Sequence, residues 1–187
     1  DELIKNKLEI ESKNINITDS INYAKNIQTA LLPSHELLDR ILPDHFILLK
    51  PRDIVSGDFY WFTHIEDMSV IAAVDCTGHG VPGAFMSMLG SAFLNEIVNK
   101  EYMTHPGVIL RRLRKEVIRS LHQKDGAGES KDGMDIALCV IDYGNMKLQF
   151  AGANNPLYLV RKKESEAPGD FINYESDGQV LYEIKGD

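Results

Sequence analysis

The run Met68-Ser-Val-Ile-Ala-Ala-Val-Asp75 constrains this chain more than any other segment. Its interior is apolar almost throughout, the pattern of a strand buried on both faces at the centre of a sheet. It ends on a carboxylate and passes into Cys76-Thr-Gly-His-Gly80, a turn bounded by glycines, with Pro82 well placed in the first turn of a helix. Phe85, Leu89, Ala92, Phe93 and Ile97 then lay an apolar stripe along that helix, and its small Ala84, Ser87, Gly90 and Ser91 read as close-packing positions. A carboxylate at the end of such a strand is costly to bury unless it is paired or bound to a metal.

Other elements follow from the same patterns. Residues 46–50, 58–63, 135–142, 146–151, 156–161, 170–175 and 179–184 read as strands, with Gly144-Asn145 and Asp177-Gly178 as hairpin turns. Pro106 opens a second helix, with Leu110, Leu113, Val117 and Leu121 on one side. The polar stretch between Lys124 and Lys131 reads as an exposed loop. Strands, two helices, then more strands predict an α+β domain with sheets packed on each other and helices outside.

Residues 1–32 stand apart as a helical linker ended by Pro33. Leu3, Ile10, Ile17, Ala24 and Leu31 recur every seven residues, as in a coiled-coil seam, but the companion seam of Lys7, Asn14, Ile21 and Gln28 is poor. Thr18-Asp19-Ser20 could cap a new helix from Ile21. Two readings stand: an amphipathic helix packed on its own domain, or a linker that pairs two chains into a homodimer and relays a signal from an upstream sensor domain. A one-sided stripe left bare in a monomer favours pairing.

Composition narrows the function. The 187 residues are 43% hydrophobic and 26% charged, enough for one core-forming domain of residues 33–187 plus the helix. A net charge of −8 and a pI near 5.2 argue against nucleic acid. No run of about 18 apolar residues stands out, so no membrane span is expected. Cys76 and Cys139, both in apolar runs, suit a reducing, cytoplasmic setting better than a disulfide. The chain opens Asp1-Glu2-Leu3 without an initiator Met or signal pattern, and is expected to be a piece of a longer polypeptide.

The candidate chemistry rests on a pair of aspartates. In Ser56-Gly57-Asp58-Phe59-Tyr60-Trp61 a second carboxylate opens an aromatic-rich strand, seventeen positions before Asp75. Two carboxylates at strand ends, with backbone carbonyls beside them, form a hard-oxygen site suited to Mg2+ or Mn2+. Cysteine-phosphatase chemistry needs an Arg six positions after the Cys, where Cys76 has Pro82. A phosphate-binding P-loop is absent, and Cys76 with His79 supplies only half a zinc spacing.

Lys50-Pro-Arg-Asp-Ile-Val-Ser-Gly-Asp-Phe-Tyr60 and Val74-Asp-Cys-Thr-Gly-His-Gly-Val-Pro-Gly-Ala84 resemble the SpoIIE/RsbU-type branch of the type-2C (PP2C, PPM) protein phosphatases. So do Asp132-Gly-Met-Asp-Ile-Ala-Leu138, Gln149-Phe-Ala-Gly-Ala-Asn-Asn-Pro-Leu-Tyr158 and Ile21-Asn-Tyr-Ala-Lys-Asn-Ile-Gln28. The resemblance implies a PP2C-like αββα sandwich with two metal ions between its sheets. It implies hydrolysis of phosphoserine or phosphothreonine on a protein, often an anti-sigma-factor antagonist with a STAS fold. It makes Asp58, Asp75 and the backbone carbonyl of Cys76 metal ligands. Arg52 is the nearest candidate for a phosphate oxygen, and His79 the candidate proton donor to the leaving group, or else a loop histidine that fixes the turn. The family carries a further stretch with another strand, an Asp-Gly at its end and later acidic ligands. Residues 33–187 are therefore expected to lack a C-terminal segment, and this chain to turn over slowly or not at all. Ser176-Asp177-Gly178 spells similar letters but reads as a turn. The alternative is a non-catalytic PP2C-like signalling or binding module.

Overall fold

A computed structural model describes residues 2–123, 132–165, 169 and 171–186; the loop expected between Lys124 and Lys131 lies outside them. Four antiparallel strands, β1 (Phe59–Ile65), β2 (Met68–Cys76), β3 (Met134–Asp142) and β4 (Lys147–Ala153), form one sheet in that spatial order. Alternation puts Val70, Ala72, Val74 and Cys76 of β2 on one face, buried with Ile136, Leu138 and Val140 of β3 and with Phe59 and Trp61 of β1. The helices α3 (Gly80–Leu94), continued by a π-helical stretch Asn95–Lys100, and α4 (Pro106–Ser120) complete this core. Leu94, Ile97, Val98 and Ile109 are sealed from solvent within it. Each such side chain contributes about 1.5–3 kcal/mol on burial, so this layer dominates stability.

A second sheet holds β5 (Leu157–Lys162), β6 (Ile172–Ser176) and β7 (Gln179–Ile184) in the order β5-β7-β6. Asp177 and Gly178, at φ 50° and 76°, make the two-residue turn between β6 and β7. Two successive left-handed residues are the signature of a type I′ hairpin, so Asp177 sits at an exposed turn as expected.

The structure corrects several expectations. Residues 46–50 join no ladder, and Phe46 is 90% exposed. A short helix α2 (His35–Ile41) forms instead just upstream, its N-cap Ser34 hydroxyl accepting from the Leu37 N–H at 3.3 Å. On α3 and its continuation the expected stripe holds only toward its end: Ile97 is buried and Phe93 packs on the core, but Phe85 is 68% exposed, and Gly83, Ala84, Met86, Ser87, Gly90 and Ser91 face inward. Small residues win that face because they allow close approach of backbones. The continuous helix Gly80–Lys100 is, by length and composition alone, long and apolar enough to cross a bilayer, a match the sequence reading passed over. Half of it is buried in the core just described, which accounts for its apolar content.

The first helix, α1 (Glu2–Leu31), runs unbroken through Thr18-Asp19-Ser20. The Ser20 hydroxyl bonds back to the Asn16 carbonyl at 2.9 Å and does not cap a new start. Only its C-terminal part docks: Ile21 and Ala24 are half-buried, Gln28 is buried, and residues 2–20 are exposed. At about 100° per residue, Leu3, Ile10 and Ile17 continue the docked line of Ile21, Ala24 and Gln28. Ile4, Leu8 and Ile15 form a second exposed stripe about a third of a turn or more away. The helix is therefore apolar on two faces, not one.

Gln28 replaces what a heptad would fill with an apolar knob. Its amide nitrogen donates to the Ser56 carbonyl at 2.6 Å and to the Ser87 hydroxyl at 2.7 Å, and its carbonyl accepts from the Ser56 N–H at 2.9 Å. The linker helix thus grips the backbone two residues before Asp58.

Candidate metal and phosphate site

Strand register builds the site. Phe59 pairs with Val74, so Asp58 stands opposite Asp75 one step beyond that ladder. Asp75 pairs in turn with Asp135, and Ile136 with Ala153, so Asn154 stands opposite Asp135. Asp58, Asp75, Asp135 and Asn154 therefore form one row across the end of the sheet. Because Val74 and Cys76 point into the helical core, Asp75 points to the other face, where it is exposed.

Asp58 and Asp75 are neighbours at the adjoining strand ends, close enough for each to act on the other. Desolvation, then the side chain and charge of Asp75, raise the Asp58 carboxyl above its ordinary value. Two carboxylates set side by side repel each other unless a proton or a cation lies between them, so the pair fits a hard divalent ion. Asp135 is held aside, its Oδ1 accepting from the Asn154 amide at 2.7 Å. Among the described residues no three His, Cys, Asp or Glu side chains converge closely enough to enclose an ion.

Glycines bring the two segments together. A Cβ on Gly57 would lie 2.8 Å from the Gly78 carbonyl oxygen and 3.2 Å from that of Cys76. Gly78 itself adopts φ 89°, open to glycine at little cost. Thr77 pins the turn to the start of β3, its N–H donating to the Gly133 carbonyl and its hydroxyl accepting from the Gly133 N–H, both at 3.0 Å. The Cys76 carbonyl thus lies beside the Asp58 segment. Its thiol does not compete as a ligand: burial first, then the charges of Asp75 and Asp58, push it up to about 12.

His79 and Arg52, the other expected site residues, are both exposed on these segments. His79 Nδ1 lies 2.9 Å from Asp53 Oδ2. Arg52, the neighbour of Asp53 in sequence, makes no ion pair among the described residues. Sequence reasoning did not single out Asp53, Asp135 or Asn154, although all three fall inside the quoted motifs. Strand register or loop contact was needed to find them.

Known proteins share this fold. The profile of the family "Stage II sporulation protein E (SpoIIE)" matches residues 66–180, more than half of the chain. The chain belongs to the SpoIIE family. Its structure is similar to the SiaA-PP2C domain of Pseudomonas aeruginosa, with a TM-score of 0.73 and 34% identity over 93% of this chain and 62% of that one. It is also 28% identical over 173 residues to the phosphoserine phosphatase RsbU of Bacillus subtilis (strain 168), covering 88% of this chain. The chain spans 45% of the length of that relative. The SpoIIE/RsbU resemblance and the PP2C-like α+β fold expected from the sequence both hold. Asp75, His79, Asp135 and Asn154 lie within the family match, while Arg52, Asp53 and Asp58 precede it.

Proposed function

We propose that this SpoIIE-family chain carries a metal-dependent protein serine/threonine phosphatase activity. The observation that carries the reading is the strand register that sets Asp58 beside Asp75 at the ends of paired strands. RsbU, the curated relative, is a phosphoserine phosphatase. Asp58, Asp75 and the Cys76 carbonyl would hold Mn2+ or Mg2+, two ions in the full site. When bound, such ions supply the Lewis acid that lowers the pKa of the attacking water and offsets charge on phosphorus. The chain's own residues do the remainder. Arg52 offers a planar guanidinium to a phosphate oxygen, and His79 donates a proton to the departing serine oxygen. The substrate is a phosphorylated protein, for which a STAS-domain anti-sigma-factor antagonist is the candidate, and the setting is cytoplasmic.

The test takes the protein at the full length its gene encodes. Hydrolysis of a phosphoserine peptide that depends on added Mn2+ and stops with chelator is the expected result. A second reading, the non-catalytic binding module, draws on the fact that only two carboxylates meet among the described residues. Absence of saturable Mn2+ binding together with absent hydrolysis would decide for it.

We further propose that residues 1–32 pair two chains downstream of a sensor domain. Leu3, Ile10 and Ile17 lie exposed along the line that docks lower down, and a second copy would cover them as a coiled-coil seam does. Sedimentation equilibrium should give a dimer that Ile10→Glu with Ile17→Glu converts to a monomer; a parent that stays monomeric at high concentration defeats the idea.

A further inference from the structure

His79 occupies the N-cap position of α3, yet its side chain makes no capping hydrogen bond there. The ring instead turns to the preceding loop, where Nδ1 meets Asp53 Oδ2 at 2.9 Å. Gly80, at φ 62°, follows directly and lies against the same carboxylate oxygen, 3.5 Å from where its Cβ would be. The ring's other nitrogen, Nε2, has no partner among the described residues. Asp53 is five residues before Asp58, and His79 four after Asp75. The two loops lie against each other through Gly57 and Gly78, so the dyad flanks the carboxylate pair.

A carboxylate that accepts from Nδ1–H fixes the ring's orientation and keeps a proton on Nδ1. Nε2 is then the nitrogen that exchanges a proton with substrate. We propose that Asp53 is a positioning residue for His79, holding the ring so that Nε2–H faces the leaving oxygen of a phosphoserine. The inference rests on the phosphatase reading. In the step, the water oxygen forms the new P–O bond and the bond from phosphorus to serine Oγ breaks, its electron pair staying on Oγ. The Nε2 proton passes to Oγ, and the proton shed by the attacking water returns to solvent, from which His79 is reprotonated. Phosphoserine and water give serine and inorganic phosphate.

The side chains of His79 and Asp53 are 63% and 40% exposed. Exposed ion pairs contribute little to stability, so the loss of this one leaves the fold intact and the variants can be interpreted. The measurement compares two esters on the full-length, Mn2+-loaded protein: a phosphoserine peptide, whose alkoxide needs a proton to leave, and p-nitrophenyl phosphate, whose leaving group does not. Asp53→Ala should lower kcat on the peptide by about 10–100-fold, within the range of a general acid's contribution, and change the aryl ester by no more than about threefold. Asp53→Glu should restore part of the loss. In a His79→Gln background Asp53→Ala should add nothing, because both act through one group. Nitrogen-15 spectra of His79 should show the Nδ1–H tautomer in the parent and a mixture in Asp53→Ala. Equal losses on both esters, no loss on either, or an unchanged tautomer overturns the assignment while leaving the phosphatase reading in place. A parent that hydrolyses neither ester fails that reading and takes this one with it.

Discussion

Asp75→Asn should abolish saturable Mn2+ binding and lower kcat/KM for a phosphoserine peptide by at least about a hundredfold. Asparagine keeps the size of the side chain and its hydrogen bonding but loses the charge, and hard divalent ions are held by anionic oxygens. Residues that merely orient a metal ligand already cost about 10–100-fold when removed, so the ligand itself belongs at or above that range. Asp75 also anchors the row: it faces Asp58 on one side and Asp135 on the other. Calorimetric titration with Mn2+ checks binding separately from turnover. An Asp75→Asn isotherm that overlays the parent would remove the metal site from this position.

Asp58→Asn should lose metal in the same way but with an opposite effect on the metal-free protein. The Asp58 carboxyl is raised by burial and by Asp75, so the folded state binds its proton more tightly than the unfolded chain does. For a carboxyl shifted in that direction, the stability penalty is absent at low pH and grows as pH rises through the raised value. Asparagine never ionises. At neutral pH the metal-free variant should therefore have the higher urea midpoint, by about 1 kcal/mol at most because the site is open to solvent. The gap should close in acid. Saturating Mn2+ should reverse the order, since only the parent gains binding energy in its folded state.

What the sequence disclosed, and what it withheld, divides by the range of the interaction. Local periodicity was enough for β2, β3 and the Asp177-Gly178 turn, because alternation and turn chemistry are properties of neighbouring residues. The pairing of Asp58 with Asp75 was readable as two strand ends with glycine contexts. Partners set by register or by loop contact were not: Asn154 reaches Asp135 nineteen residues back, and His79 reaches Asp53 across twenty-six. The inward face of α3 was legible in part. The small Ala84, Ser87, Gly90 and Ser91 read as close-packing positions and are buried, whereas Phe85, in the apolar stripe, is 68% exposed. Gln28, read as a flaw in a heptad, turned out to be a polar clamp on Ser56.

That inward face of small residues yields the second large effect, at Gly83 in the first turn of α3. Glycine to alanine within a helix ordinarily stabilises, by up to about 1 kcal/mol. Here the added Cβ would lie 2.6 Å from the Gly78 carbonyl oxygen and 3.0 Å from the Gly57 Cα. Both are backbone atoms, and neither can swing away as a side chain would. Gly78 is committed to φ 89°, and Thr77 ties its turn to Gly133, so relief must come from the segment that carries Asp58. Overpacking of this kind costs about 1–3 kcal/mol, which exceeds the helical gain. Gly83→Ala should therefore lower the urea midpoint and, by parting Asp58 from Asp75, weaken Mn2+ binding at least about tenfold for each 1.4 kcal/mol of misfit. Gly107→Ala supplies the comparison, since it lies in the first turn of α4 and its new Cβ would meet nothing nearer than 3.7 Å. That substitution should be neutral or stabilise by about 0.5–1 kcal/mol and leave Mn2+ affinity unchanged. If both variants move stability in the same direction, helix propensity governs these positions, and the close backbone contact at Gly83 does not hold the two aspartates together.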